Sequence, residues 1–302
     1  MKADIVAHER SRTTALAALV VGAVVLGASP IFVRLTDVGP QASGFWRTAL
    51  ALPALWLWMR IEERSLPAAP LRFDRAIVLT AICFAGNLFF WHLAILHTTV
   101  ANATFFAVTS PVYVVVGAFL FLGERSGPRM LLGLAACIAG GSALIGESYQ
   151  VDPARLTGDL FGLVTAVFFG AYVVVVRHAR AWHRAARLMF LSTILSAAFL
   201  LVAALLLGQQ ILPRSLGSLA ALVALALLVQ VGGQGLLAFA LGSLPATFSS
   251  LVVFLEAIAA AALGWLVLGE QVTAIQLLGG LLILFGIFIA RPRSATPAGT
   301  GP

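Results

Sequence analysis

Glu256 stands in the apolar run from 245 to 268, with Ser249 and Ser250 about two turns before it. A carboxylate at that depth in hydrocarbon costs roughly 2.5–3.5 kcal/mol on insertion scales, so it is expected to face a bundle interior or a water-filled cavity. Its chemistry there would be to take up a proton or hold a cation. The alternative is a fixed structural partner for Arg47 or for free backbone donors. Gln230 and Gln234 are one helical turn apart, beside Gly232, Gly233 and Gly235, which let a neighbour or a ligand approach the backbone. Asn87, Trp91 and His92 share a turn of an earlier run, and Asn102, Thr104, Thr109 and Tyr113 lie on the next. These groups would hydrogen-bond a substrate, or one another between helices. His92 is a candidate proton carrier or a packed donor.

Aromatic side chains gather on the same runs, among them Trp91, Tyr113, Phe169, Tyr172, Phe239 and Phe254. They suit an amphipathic ligand, although packing against lipid explains most aromatic residues in a bundle. Trp56, Trp58 and Trp182 lie at the ends of apolar runs or beside basic loops, the usual place of interfacial anchors. Enzyme signatures are missing: there is no H-E-x-x-H, G-x-S-x-G or G-x-x-x-x-G-K-[ST], and His178 and His183 sit five apart in a basic loop. Cys83 and Cys137 fall inside apolar runs with no companion ligands, so they read as packing thiols. No enzyme activity, cofactor or metal is expected.

The elements that must position these residues are membrane helices. With 61% hydrophobic residues, 10% charged residues and a mean hydropathy of +1.01, the chain lacks the polar surface of a soluble domain of its size. The expected fold is all-α, with ten transmembrane helices near 14–35, 41–60, 75–97, 100–122, 129–146, 157–178, 187–208, 217–241, 245–268 and 272–291. Continuous rather than alternating apolar runs exclude a β-barrel. Arginines cluster before the first run, around the second, fourth and sixth connections, and after the last run. All of these belong to one side, which makes both termini cytoplasmic. The net charge of +7 is then a topology signal rather than a nucleic-acid-binding one.

The chain also repeats itself. Gly123-Glu124, Gly133 and Gly140 match Gly269-Glu270, Gly279 and Gly286, each pair 146 positions apart; Gly27-Ala28 and Arg34 match Gly170-Ala171 and Arg177 at 143. An odd number of spans per half makes the copies inverted. The expected layout is a cytoplasmic segment 1–13, a five-helix repeat 14–146, an outer linker 147–156, a second repeat 157–291 and a cytoplasmic tail 292–302. Glycines seven apart give the fifth and tenth helices a small-residue seam. Glu124 and Glu270 precede those helices, where a carboxylate serves as a cap or hinge.

Phe45-Trp46-Arg47, Ser110-Pro111-Val112, Leu122-Gly123-Glu124-Arg125, Leu255-Glu256 and Leu268-Gly269-Glu270, with the downstream glycines, resemble the drug/metabolite transporter superfamily, in particular its EamA-type ten-helix members. The resemblance covers essentially the whole chain. One departure is Ala257, where the family often has proline, which leaves a kink in the ninth helix open. The family implies a carrier in the bacterial inner membrane that exports metabolites by alternating access through a central cavity. Neutral or aromatic amino acids are the leading substrates, with a proton-coupled exporter of lipophilic cations as rival and a passive channel or scaffold as an alternative of another class. The expected substrate-binding set is Asn87, Trp91, His92, Tyr113, Tyr172, Gln230, Gln234, Phe239 and Glu256, with Glu256, Arg47 and Pro111 in coupling or gating. The partners implied are a small molecule and the lipid bilayer, without nucleic acid, for a monomer or weak dimer.

Overall fold

The computed structural model describes residues 2–65, 70–98, 106, 109–145, 156–268 and 272–291. Every regular element among them is helical. In chain order they are α1 (Lys2–Leu26), α2 (Ser29–Arg34), α3 (Pro40–Ala49), α4 (Leu52–Glu62), α5 (Arg75–His97) and α6 (Ser110–Gly117), the last prolonged by a π-helical stretch, Ala118–Leu122. Then come α7 (Pro128–Ile145), α8 (Leu156–Ala179), α9 (Ala185–Leu206) and α10 (Leu216–Ala224), which runs through a π-helical stretch, Leu225–Gln234, into α11 (Gly235–Ala240). The last three are α12 (Ala246–Val252), α13 (Leu255–Leu268) and α14 (Ala274–Ala290).

Among the described residues seven stretches are long and apolar enough to cross a bilayer, and Ser110–Leu122 and Ala274–Ala290 are shorter apolar helices. The first helix begins at Lys2, well before the expected 14. The run expected at 41–60 is two helices, α3 and α4. Proline explains most such breaks, because it lacks an N–H and fits only the first helical turn. Pro30, Pro53 and Pro111 occupy the first turns of α2, α4 and α6. The ninth apolar run breaks too, without proline. Phe254 N–H donates to Leu251 O at 3.1 Å and Glu256 N–H to Val253 O at 2.8 Å, a tight i→i−3 turn just ahead of Glu256. Ala257 therefore does not straighten this segment.

Small residues set the closest packing. A Cβ on Gly133 would lie 2.6 Å from Gly286 O, and one on Gly140 would lie 2.5 Å from Gly279 O, so α7 and α14 touch backbone to backbone. Between these contacts Cys137 Sγ donates to Ile283 O at 3.6 Å. Gly27 meets Glu256 O and Ala259 Cβ, while Gly170 meets Ser110 O and Tyr113 Cβ. The outer surface is apolar, as at Phe121, Leu216 and Phe288, which suits lipid-facing positions.

Polar ties close the helix ends. Glu62 accepts the Ala186 N–H that opens α9, and Gln209, just past α9, accepts the Gln41 and Ala42 N–H groups that open α3. Glu63 takes two bonds from Arg187 at 2.6 and 2.8 Å, and that guanidinium holds its carboxyl below the usual range. Asp74 caps α5 through Ile77 N–H and lies 2.6 Å from His183. Partial burial pushes the Asp74 carboxyl up, but these donors outweigh it and leave it lowered.

Candidate functional site

A cavity of about 190 Å³ lies among α2, α3, α5, α6, α8, the α10–α11 helix, and α12 with α13. Its wall carries Ser29, Arg47, Asn87, Ser110, Thr165, Gln234, Ser250 and Glu256, against Trp91, Phe169, Phe254 and aliphatic side chains. Helix breaks bring several of these inward. Ser29 and Pro30 follow the α1–α2 break, Ser110 and Pro111 open α6, and Glu256 follows the α12–α13 turn. A broken helix leaves backbone groups unpaired at membrane depth, which is tolerated only in protein or beside a water-filled space.

The two charges differ in their support. Arg47 is 6% exposed. Its Nε donates to Gln230 Oε1 at 3.0 Å, its Nη1 to Ser29 Oγ at 3.4 Å, and its guanidinium lies 5.6 Å from the centre of the Phe84 ring. Glu256 forms no hydrogen bond through its carboxylate and no ion pair among the described residues, yet it shares the cavity wall with Arg47. Gln234 is 4% exposed, and its Oε1 has no hydrogen-bond partner among the described residues. Asn87 Nδ2 donates to Thr165 O at 3.3 Å, tying α5 to α8.

Asn87, Trp91, Gln234, Glu256, Arg47 and Pro111 thus meet on one wall. The remaining residues of the expected set do not line it. Gln230 is fully buried behind Arg47 and supports it. Both glutamines lie in the π-helical stretch one turn apart, but the Gln230 side chain is committed to Arg47, whereas Gln234 reaches the wall. His92 is packed 3.4 Å from Gln41 Oε1. Tyr172 is buried behind the wall, its ring beside Phe84 and Phe169 and its hydroxyl against Met189 Sδ. Tyr113 packs on Gly170, and Phe239 is half-buried in α11. Asn102, Thr104 and Glu270 lie outside the described residues.

Ser29, Thr165 and Ser250 are wall residues that the expected set omits. For Ser29 a signal existed: Ser29-Pro30 inside an apolar run repeats the Ser110-Pro111 pattern. Thr165 had no such mark, since a single threonine in an apolar helix ordinarily bonds its own backbone, as this one does to Phe161 O.

Residues 13–145 and 156–291 each match the EamA-like transporter family. The chain belongs to that family. Among its relatives, the pseudopaline exporter of Pseudomonas aeruginosa is 28% identical over 244 residues, 80% of this chain and 82% of the relative. An uncharacterized transporter of Archaeoglobus fulgidus is 28% identical over 276 residues, 91% of this chain and 95% of that protein. A solved crystal structure, 17% identical, shares the fold with a TM-score of 0.80, covering 92% of this chain and 96% of the other. The cavity is therefore the interior of a multi-pass membrane transporter.

Proposed function

We propose that this protein is a ten-helix secondary exporter, built from two inverted five-helix repeats, that carries small zwitterionic metabolites by alternating access, with neutral or aromatic amino acids as the leading class. The observation that carries this reading is the wall itself, where Arg47 and Glu256 share a small space with Gln234 and aromatic rings. A carboxylate substrate group is complementary to Arg47. An ammonium is complementary to Glu256 and to Gln234 Oε1, which has no hydrogen-bond partner among the described residues. Trp91, Phe169 and Phe254 leave an apolar surface for a side chain. The volume of about 190 Å³ is below the roughly 300–1,000 Å³ of drug-sized pockets, which favours a metabolite.

Reciprocal contacts support the inverted repeat. The mates of Gly133 and Gly140 are Gly279 and Gly286, and the observed pairs, Gly133 with Gly286 and Gly140 with Gly279, exchange when the halves are exchanged. Cys137 at the centre touches Ile283, its own mate 146 residues on. Gly27 packs against Glu256 and Ala259 as Gly170 packs against their mates Ser110 and Tyr113. Export as the direction draws support from the pseudopaline exporter among the relatives. The inner membrane, with both termini cytoplasmic, is the location this reading takes.

Counterflow in proteoliposomes tests the function, with labelled phenylalanine and a lipophilic cationic dye run in parallel. Accelerated phenylalanine exchange is the expected result. The second reading, a proton-coupled cation exporter, is favoured by a wall carboxylate, Glu256, amid aromatic rings. Exchange of the dye alone would select it.

A further inference from the structure

Glu124 lies on the turn after the π-helical end of α6, and the backbone there is specialised to turn it back. Gly123 takes φ +68°, a left-handed conformation that strains any residue with a side chain, and Glu124 N–H returns to Ala118 O at 3.1 Å. The carboxylate then crosses to another helix. Its Oε1 accepts Ala246 N–H at 3.0 Å, its Oε2 accepts Thr247 N–H at 3.2 Å and the Thr247 hydroxyl at 3.1 Å, and Arg177 Nε lies 3.8 Å away. One half-buried carboxylate thus ties α6, α8 and α12 at a single end of the bundle.

Those three helices also bound the cavity. Ser110 and Pro111 come from α6, Thr165 and Phe169 from α8, and Ser250 from α12, which leads through the turn to Glu256. We propose that Glu124 is the latch that closes the transport path at this end, and so a positioning residue for substrate access. The proposal rests on the alternating-access reading. Charge-assisted bonds act over short distances, so a small separation of α6 from α12 breaks all three together and lets water replace them. Such a tie has two discrete arrangements, as a gate requires. The Glu63 to Arg187 pair offers a contrast within the same molecule: it joins α4 to α9, and neither helix contributes to the cavity wall. It holds the scaffold without controlling access.

The test uses Ala257→Cys, on the cavity wall, as reporter in the full chain, with an impermeant thiol reagent applied to membrane vesicles of either orientation. The buried Cys83 and Cys137 set the background. Adding Glu124→Ala is expected to raise labelling from the Glu124 face and lower it from the other, changing the ratio of the two rates at least tenfold. Thr247→Val, which removes one of the three bonds, should change the ratio in the same direction but less, and carries the test if Glu124→Ala fails to fold. Glu63→Gln should leave the ratio unchanged. An unchanged ratio in folded Glu124→Ala, or an equal change in Glu63→Gln, would overturn the latch. No substrate is needed, so this failure is separate from that of the amino-acid reading. Labelling from neither face in every variant would overturn the path and the latch together.

Discussion

Among the described residues Arg47 has side-chain hydrogen bonds and Glu256 has none through its carboxylate, and substitutions at the two should differ accordingly. Arg47→Lys cannot reproduce the fork that reaches Gln230 and Ser29 at once, because an ammonium is a point donor. Bonds to a charged group are worth about 1.5–3 kcal/mol each, so we expect Arg47→Lys to lower thermal stability in detergent and reduce the folded yield. Glu256→Gln keeps the shape and breaks no hydrogen bond among the described residues. It should fold while losing on the order of 10-fold or more in phenylalanine counterflow, the equivalent of one charge-assisted contact. Transport equal to wild type would remove Glu256 from the site. The importance of both residues is legible from sequence because a charge in hydrocarbon must be satisfied. Which one is hydrogen-bonded within the protein is not, since that depends on Gln230 and Ser29, 183 and 18 residues from Arg47 along the chain.

At the scale of elements, the α7–α14 seam makes the sharpest stability prediction. A Cβ at position 140 would sit 2.5 Å from a backbone oxygen, which cannot rotate away, so Gly140→Ala must push the helices apart. Overpacking of this kind costs typically 1–3 kcal/mol, and a lowered melting temperature, compared with a neutral change on the lipid face, checks it. The Glu63 to Arg187 tie gives a pH prediction. The folded carboxyl is lowered, so its stabilisation is present above the unfolded pKa of about 4.3 and disappears as pH falls through the lower folded value. Wild type should lose this increment on acidification below about pH 4, and Glu63→Gln should lack it throughout. Helices themselves were readable as apolar runs of sufficient length. Their breaks were readable only where proline announced them: the α12–α13 turn carries no such mark, and it sets the start of the helix that bears Glu256.

For the whole molecule, the distribution of arginines predicts that reporters on both termini are cytoplasmic and that one inserted between residues 147 and 156 is external. Opposite accessibility of the termini would remove the ten-helix inverted arrangement. The sequence by itself determined the solvent, the helical class, the repeat and the short inventory of buried polar groups, because a bilayer forbids unsatisfied polarity and an apolar run of given length has few other uses. The tertiary structure alone decided which of those groups share a space. Asn87, Trp91, Gln234 and Glu256 meet at the cavity, while His92, Tyr172 and Gln230 turn to protein partners within the same helices or close by. The physical reason is that facing is set by helix phase, and phase is reset at every break and π-helical stretch by packing between residues far apart in the chain. Glu124 shows the same limit. Its spacing marks it as a cap for the helix that follows, but the N–H groups it satisfies open a helix 122 residues later.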